Sequence, residues 1–432
     1  MGIKHVHLHT KFLYFCCMKL FTTCILSFFL SISLFSQSIS EKAYFSLLTC
    51  APGSEIHSHF GHTAIRFVDS ANYTDIVYNF GMFRYSDDFV YNFVKGETYY
   101  HLGVTSFSRF ITEYYFDERS VIEQVLNFTP QQVQTLNAML EKNAMPEHRT
   151  YLYNFLYDNC ATRPRDLIIH VLGDSLQWNI PTTTTFSDTL WFASSADLLQ
   201  KDSLSRTWRA LLHKYVHNYS WLRFGIGLAL GEPTDKPATV FESMFLPDFL
   251  SMMVQHATIT TANGIKPLVC STQTIIAAEP IQIPPPFALR PSGLFWIFTF
   301  ICFTIVYIEY KMKKHLYWFD SFLYILIGLL GGVLTFLSFF SIHPVVFPNY
   351  NILWASPIHV IFALVWFIPK LRPYTQWYLL LYGIIFLLYI GSIPFNPQYM
   401  HAGYAAIIIM LLSRVGSFII NSDKQMMFSK HS

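Results

Sequence analysis

Five long apolar segments fill the C-terminal third of the chain. Each is close to the roughly 20 residues that an α-helix needs to cross the hydrocarbon core of a bilayer. The sequence therefore predicts an all-α bundle of five membrane-spanning helices over residues 294–420, followed by a cytoplasmic tail at 421–432. The five segments are Leu294–Tyr310, Phe322–Ser341, Ile352–Ile368, Trp377–Ile393 and Ala402–Ile420.

Lysine and arginine residues predict the direction of the bundle. Basic residues occur at 311–314 after the first segment, at 370–372 after the third, and at Arg414, Lys424 and Lys430 at the end of the chain. The connections at 343–351 and 394–401 contain none. Because basic connections stay in the cytoplasm, the residues that precede the first segment must lie on the opposite side of the membrane.

The N-terminus independently predicts export. Met18-Lys19 provides a short basic start, Leu20–Leu34 an apolar core, and Ser36-Gln37 a cleavage site with a small residue. We therefore assign residues 1–36 to an N-terminal extension and signal peptide. Two alternatives stay open, namely that 20–34 is an uncleaved anchor and that Met18 is the true start.

Charge excludes one class of partner. The formal net charge is only +2, and charged residues make up 13 % of the chain, whereas a nucleic-acid-binding surface needs a basic patch. We expect a membrane-embedded protein with no nucleic-acid partner.

The exported part reads as an α+β domain over residues 37–175. Short apolar runs near 43–48, 62–68, 75–80 and 99–104 predict strands. Thr129 and Pro130 predict the start of a helix over 130–143, since they suit the cap and the first helical position. Residues 176–280 read as a mostly helical extension, and the proline-rich residues 281–293 as a linker into the membrane.

Cysteine supplies the first candidate for chemistry. Cys50, Cys160 and Cys270 lie in the exported part. Because their number is odd, at least one is free or pairs outside the domain in an oxidising compartment, and Cys50–Cys270 is a possible disulfide. Cys160 opens a predicted helix capped by Asn159 or Thr162, and a helix N-terminus favours the reactive thiolate.

Histidine supplies the partner that a nucleophilic cysteine requires. His62 opens a predicted strand and can act as the general base, with a third polar group to orient its ring. Asn79 on the next strand is our candidate for that group, and His101 is the alternative. His57, His59 and His62 also allow a zinc site, but nearby acidic or thiol ligands are scarce, so we predict no metal.

Several motifs together resemble the Lnb-type bacterial lipoprotein N-acyltransferases. The C-terminal segments, with Asn349, Asn351, Trp354 and Pro357, are similar to the membrane domain of that family. The exported motifs that carry the resemblance are Thr49–Gly53, Phe60–Arg66, Tyr78–Gly81, Tyr151–Asp166, Phe224–Leu230 with Thr234-Asp235, and Phe245–Asp248.

The order of histidine before cysteine is also similar to circularly permuted NlpC/P60 and lecithin:retinol acyltransferase-like folds. This analogy implies a permuted papain-like domain at 37–175, in which Cys160 is the nucleophile and His62 the base. Asn159 and Arg163, which flank the cysteine, are candidate substrate-binding residues.

The resemblance implies a reaction between two lipids and no cofactor. Cys160 would take an acyl chain from a membrane phospholipid as a thioester and pass it to the α-amine of a diacylglyceryl-cysteine lipoprotein. This places the protein in the bacterial inner membrane with its N-terminal domain in the periplasm. The alternatives are a papain-like peptidase or amidase acting on the cell wall, a non-enzymatic membrane adaptor with a structural Cys160, and a zinc hydrolase.

Overall fold

The computed structural model describes residues 38–180, 191, 206–278, 286–368, 370–396 and 398–429. The signal peptide predicted at 1–36 and residues 281–285 of the linker predicted at 281–293 lie outside the described residues. The described residues form an N-terminal α+β region and a helical C-terminal region.

An antiparallel sheet of seven strands organises the exported region. Its strand order is β10-β5-β1-β2-β3-β4-β6, and β7, β8 and β9 form a second, three-stranded sheet. The strands are β1 (Tyr44–Cys50), β2 (His62–Asp69), β3 (Thr74–Met82), β4 (Tyr99–Ser106), β5 (Val121–Leu126), β6 (Thr150–Leu152), β7 (Leu176–Gln177), β8 (Thr258–Thr261), β9 (Gly264–Pro267) and β10 (Val269–Ile276).

Eight α-helices accompany these strands in the described exported residues. They are α1 (Phe89–Lys95), α2 (Phe107–Phe116), α3 (Pro130–Ala144), α4 (Thr162–Leu172), α5 (Trp208–Tyr215), α6 (Ser220–Ala229), α7 (Val240–Ser243) and α8 (Pro247–His256).

Alternation along the strands buries both faces of the large sheet. Leu47 and Ile65 face one layer, which contains α3, α4 and α8. Their chain neighbours Leu48 and Ala64, which are paired with each other, face α2 instead. The ends of the central strands β2 and β3 are thereby held between two packed layers, and the candidate residues lie at these ends.

The start of α3 follows the sequence prediction. Thr129 accepts a hydrogen bond from the Gln132 amide, while the Gln132 side chain binds the Thr129 amide, so a complete capping box precedes Pro130. The predicted helical character of 176–280 is wrong in part, because β7–β10 lie in this range and β10 forms an edge of the large sheet. The sequence of β10 is rich in threonine and isoleucine, which suit an edge strand paired with β5.

The membrane region contains helices α9 (Pro291–Met312), α10 (Tyr317–Phe340), α11 (Ile358–Val365), α12 (Arg372–Ser392) and α13 (Ala402–Ser429). Among the described residues, four helices are long and apolar enough to cross a bilayer. The third predicted span, Ile352–Ile368, departs from the prediction: it consists of the end of a short turn at Tyr350–Leu353, a break at Ser356-Pro357, and the eight residues of α11. Proline lacks an amide proton and disfavours helix in the preceding residue, which accounts for the break.

The exported region rests on the connection between α10 and α11 of the membrane region. The Asn349 side chain donates to the carbonyl of Leu228 in α6 at 2.7 Å, and the Gly231 amide donates to Val345 at 2.8 Å. The carbonyl of Lys95 at the end of α1 accepts from the amide of Ile342. The connection that the charge pattern places outside the cytoplasm is therefore the one that contacts the exported region.

Candidate active site

Cys160 lies in the last turn before α4 and is 8 % exposed. The side chain of Asn159 accepts hydrogen bonds from the amides of Ala161 and Thr162 at 2.8 and 2.9 Å. The Thr162 hydroxyl in turn accepts from the Asn159 amide at 2.7 Å. Both residues that the sequence offers as alternative caps thus act together, and they fix the backbone on each side of the cysteine.

The two candidate substrate-binding residues are engaged with protein groups. The side-chain nitrogen of Asn159, Nδ2, donates to the carbonyls of Phe155 and Phe245, both at 2.9 Å. Arg163 binds both carboxylate oxygens of Asp158 at 2.6 and 2.8 Å and lies 3.4 Å from the ring centre of Tyr151. Their contacts support the cysteine-bearing turn.

His62 and Asn79 meet at the ends of neighbouring strands. Nε2 of His62 lies 2.6 Å from Oδ1 of Asn79, and Nδ1 makes no hydrogen bond to the described residues. The register pairs Ile65 with Tyr78, so the two side chains are diagonal neighbours on one face of the sheet. An amide that holds one ring nitrogen fixes the ring orientation and leaves the other nitrogen for proton transfer.

The same strand ends border Cys160. The backbone N–H groups of Thr63 and of Cys160 itself are directed at the cysteine sulfur. On the other side, Gly81 has a φ of +89°, and a Cβ added there would lie 3.7 Å from Cβ of Cys160. Cys160 thus lies against Thr63, which follows His62 on β2, and against Gly81, which lies two residues after Asn79 on β3.

The surrounding protein determines the protonation of the pair. Burial raises the pKa of the Cys160 thiol to about 11, although the N–H groups of Thr63 and Cys160 oppose this effect. Desolvation lowers the pKa of the His62 imidazole to about 4, although its hydrogen bond to Asn79 opposes this effect, and the nearby Arg119 charge lowers the pKa further. At neutral pH the resting pair is therefore an uncharged thiol and an uncharged imidazole, so the thiol must lose its proton during the reaction.

The structure separates the other candidates from this pair. His101 lies on β4 opposite Met82. It does not orient the His62 ring, because Nε2 of His62 is hydrogen-bonded to Asn79. His57 packs edge-on against Phe83, and His59 binds the carbonyl of Gly53 and stacks on Tyr219. No group of three metal-ligating side chains occurs among the described residues.

The remaining exported cysteines are free. Cys50 is buried and Cys270 is exposed, and no disulfide joins them in the structure. Desolvation raises the pKa of Cys50 to about 12. Cys160 is also free, as a nucleophilic role requires.

Sequence reasoning missed the groups that connect the site to the membrane region. Five aromatic rings follow one another with centroid separations between 4.5 and 6.2 Å. The last ring packs edge-on against His343, in the connection after α10. The spacing of these residues in the sequence is irregular, so only the folded chain aligns them. The row runs Tyr153, Tyr100, Phe83, Phe89 and Phe93, and a Cβ added at Gly81 would touch both Tyr153 and Cys160.

Comparison with known proteins gives two matches. Residues 35–188 match the family model described as the Lnb N-terminal periplasmic domain, and residues 284–425 match the one described as the Lnb transmembrane domain. No curated protein and no solved structure matches the chain. Because the two matches follow one another in the predicted order and together cover more than half of the chain, this protein belongs to the Lnb family.

Proposed function

We propose that this protein is a lipoprotein N-acyltransferase in which Cys160 carries the acyl chain. One observation carries the proposal: a free, buried cysteine lies against the backbone that follows His62, whose ring is oriented by Asn79. A nucleophile, a base and an orienting group are the parts that covalent acyl transfer requires. Family membership and the membrane region support lipids as substrates.

The first half of the proposed reaction acylates the enzyme. His62 accepts the thiol proton, and the Cys160 sulfur attacks an ester carbonyl of a membrane phospholipid. The carbon–oxygen ester bond breaks, the proton passes to the leaving oxygen, and a lysophospholipid departs. In the proposed reaction, the N–H groups beside the sulfur would donate to the oxyanion that forms on the attacked carbonyl.

The second half transfers the chain to the acceptor. The free α-amine of a diacylglyceryl-cysteine lipoprotein attacks the thioester, the carbon–sulfur bond breaks, and an amide forms. The amine proton returns through His62 to the thiolate. Because an amide is more stable than a thioester, this step requires no other energy source and no cofactor.

The mode of attachment supports a bilayer as the source of both substrates. The exported region contacts the connection between α10 and α11 through α1 and α6, and the aromatic row leads from Cys160 to this same connection. Donor and acceptor lipids in the periplasmic leaflet of the bacterial inner membrane would reach the cysteine along this apolar side. An enzyme acting on cell-wall peptides needs no such row, which makes the peptidase or amidase alternative less well supported.

Replacing Cys160 by serine tests the proposal. We expect C160S to abolish N-acylation in a host in which this chain is the only N-acyltransferase, as read from the N-terminal peptide of a lipoprotein by mass spectrometry. The matched control is C270S, which alters a free but exposed cysteine and should leave N-acylation intact. Continued N-acylation in C160S would overturn the proposal.

A further inference from the structure

A cavity with several charged lining residues lies between the exported region and the membrane region. Its volume is about 480 Å³, within the range of small-molecule sites. Helix α5 forms one wall, α6 and the following turn form another, and Tyr399 before α13 closes the third side. The charged and aromatic lining residues are Arg209, His213, Lys214, His217, Arg223, Asp235 and Tyr399.

The lining carries an excess of positive charge. Arg209 binds both oxygens of Asp235 at 2.8 and 3.0 Å, and its remaining N–H groups donate to the carbonyls of Gly227, Leu230 and Gly231. This pair is therefore neutral and internally satisfied. Arg223 adds a further positive charge to the lining, and Asp235 is the one carboxylate among the lining residues that the structure describes.

Two buried donors of the cavity have no partner in the described parts of the chain. His213 is 6 % exposed, yet its Nε2 makes no hydrogen bond, and neither does the buried Nε of Arg223. A buried polar group without a partner costs about 1–3 kcal/mol, and such groups are rare in folded proteins. Desolvation, with the charges of Arg223 and Arg209, lowers the pKa of His213 to about 3, so the ring is neutral and can donate one N–H.

The cavity lies at the outer surface of the membrane region, and helix α5 connects it to the site at Cys160. Tyr399 belongs to a connection that the charge pattern places outside the cytoplasm. The exposed Trp221 on α6 binds the carbonyl of Leu289, just before α9, and tryptophan is typical of the headgroup layer. Helix α5 joins the two sites, since Trp208 packs on Tyr157, three residues before Cys160, and Tyr215 packs on Phe60, two residues before His62.

We propose that this cavity binds the phosphate group of a phospholipid, with Arg223 supplying charge and His213 a neutral donor. Charge-assisted hydrogen bonds to a phosphate would satisfy the orphaned Arg223 and His213 atoms together. The role of this lipid as acyl donor for Cys160 rests on the proposed function, whereas its binding does not. A soluble phosphate offers the same chemistry, so the test must separate the two sources.

Binding is measured on the full-length protein in non-ionic detergent, in a Cys160→Ala background that cannot form a thioester. The probes are dihexanoylphosphatidylcholine, dihexanoylglycerol and inorganic phosphate, titrated by calorimetry. We expect Arg223→Gln to weaken the binding of the phospholipid about tenfold, the effect of one charge-assisted hydrogen bond. His213→Phe, which keeps a ring against Tyr399, should weaken it in the same direction. Arg109→Gln, the same charge change at an exposed site on α2, should have no effect.

The outcomes separate this proposal from the transferase proposal. The cavity assignment would be overturned if the Cys160→Ala protein bound the phospholipid equally well with and without the added Arg223→Gln or His213→Phe change, provided that all these proteins fold. This result would leave the role of Cys160 untouched. Inorganic phosphate binding as tightly as the phospholipid would overturn the lipid source, as would equally tight binding of phosphate-free dihexanoylglycerol. Continued N-acylation in C160S would remove the transferase and leave the binding result standing.

Discussion

At the scale of single residues, the proposed base depends on one neutral neighbour. Oδ1 of Asn79 lies 2.6 Å from Nε2 of His62, so the amide fixes the ring without adding a charge that would hold a proton on it. A carboxylate at this position would stabilise the imidazolium instead. Asn79 therefore orients the base while desolvation keeps it uncharged.

Replacing Asn79 by alanine should separate it from His101, its rival in the sequence. We expect N79A to lower kcat roughly ten- to hundredfold with little change in KM, because Asn79 orients the His62 ring but does not bind the lipid substrate. H101A should keep normal kcat, since this residue lies opposite Met82 on β4. Steady-state N-acylation assays on both variants check this, and a large loss in H101A with none in N79A would reverse the assignment.

The buried thiol predicts an unusual pH dependence of alkylation. Because the pKa of Cys160 is raised to about 11, the thiolate fraction should grow about tenfold per pH unit up to that value. The rate of iodoacetamide inactivation should therefore rise from pH 6 to pH 10 without a plateau. The measurement uses the C270S protein, so that the exposed cysteine consumes no reagent. A plateau through the neutral range would show a preformed thiolate–imidazolium pair, contrary to the low pKa of His62.

At the scale of elements, the turn before α4 positions the nucleophile. All hydrogen-bonding capacity of the Asn159 side chain is used within the protein, with two amides and two carbonyls as partners. One of these carbonyls belongs to Phe245, far away in the sequence, so the side chain ties the cysteine-bearing turn to the approach to α8. Its loss would loosen both connections.

We expect Asn159→Ala to reduce the free energy of unfolding by about 1–3 kcal/mol, from the lost cap and the unsatisfied buried carbonyls. Thermal unfolding of the full chain in detergent measures this as a lower transition midpoint. Asn263→Ala is the matched control, because that residue lies exposed in the turn between β8 and β9. If both variants unfold at the wild-type temperature, the positioning role of Asn159 is wrong.

The sequence predicts elements whose signals are local and misses those that depend on distant pairing. Thr129 and Pro130 determine the start of α3 by themselves. Strand β10, in contrast, takes its place through β5, more than a hundred residues earlier. The same distinction holds at the site: Cys160 and His62 stand out as residue types, whereas the contribution of Gly81 and the Thr63 amide depends on how β2, β3 and α4 meet.

At the scale of the whole molecule, buried charges join the membrane helices at the end far from the exported region. Arg414 of α13 binds Glu309 of α9 at 2.8 Å and Asp320 of α10 at 2.5 Å. All three side chains are at most 1 % exposed. His315 also contacts Asp320, and Ser417 donates to Glu309. Ionisable groups inside a membrane protein are costly unless paired, so this cluster couples three helices of the membrane region.

Arg414→Leu should break this coupling and lower the free energy of unfolding by about 3–5 kcal/mol, because it leaves two buried carboxylates without their cation. A triple variant should recover most of the lost free energy of unfolding, since no buried charge then lacks a partner. This variant combines Glu309→Gln, Asp320→Asn and Arg414→Leu. Lys314→Leu removes an exposed cation at the same end and should change little. Unfolding by SDS titration of the purified protein measures all of these. If the triple variant were no more stable than Arg414→Leu alone, packing around Arg414 rather than charge pairing would hold these helices together.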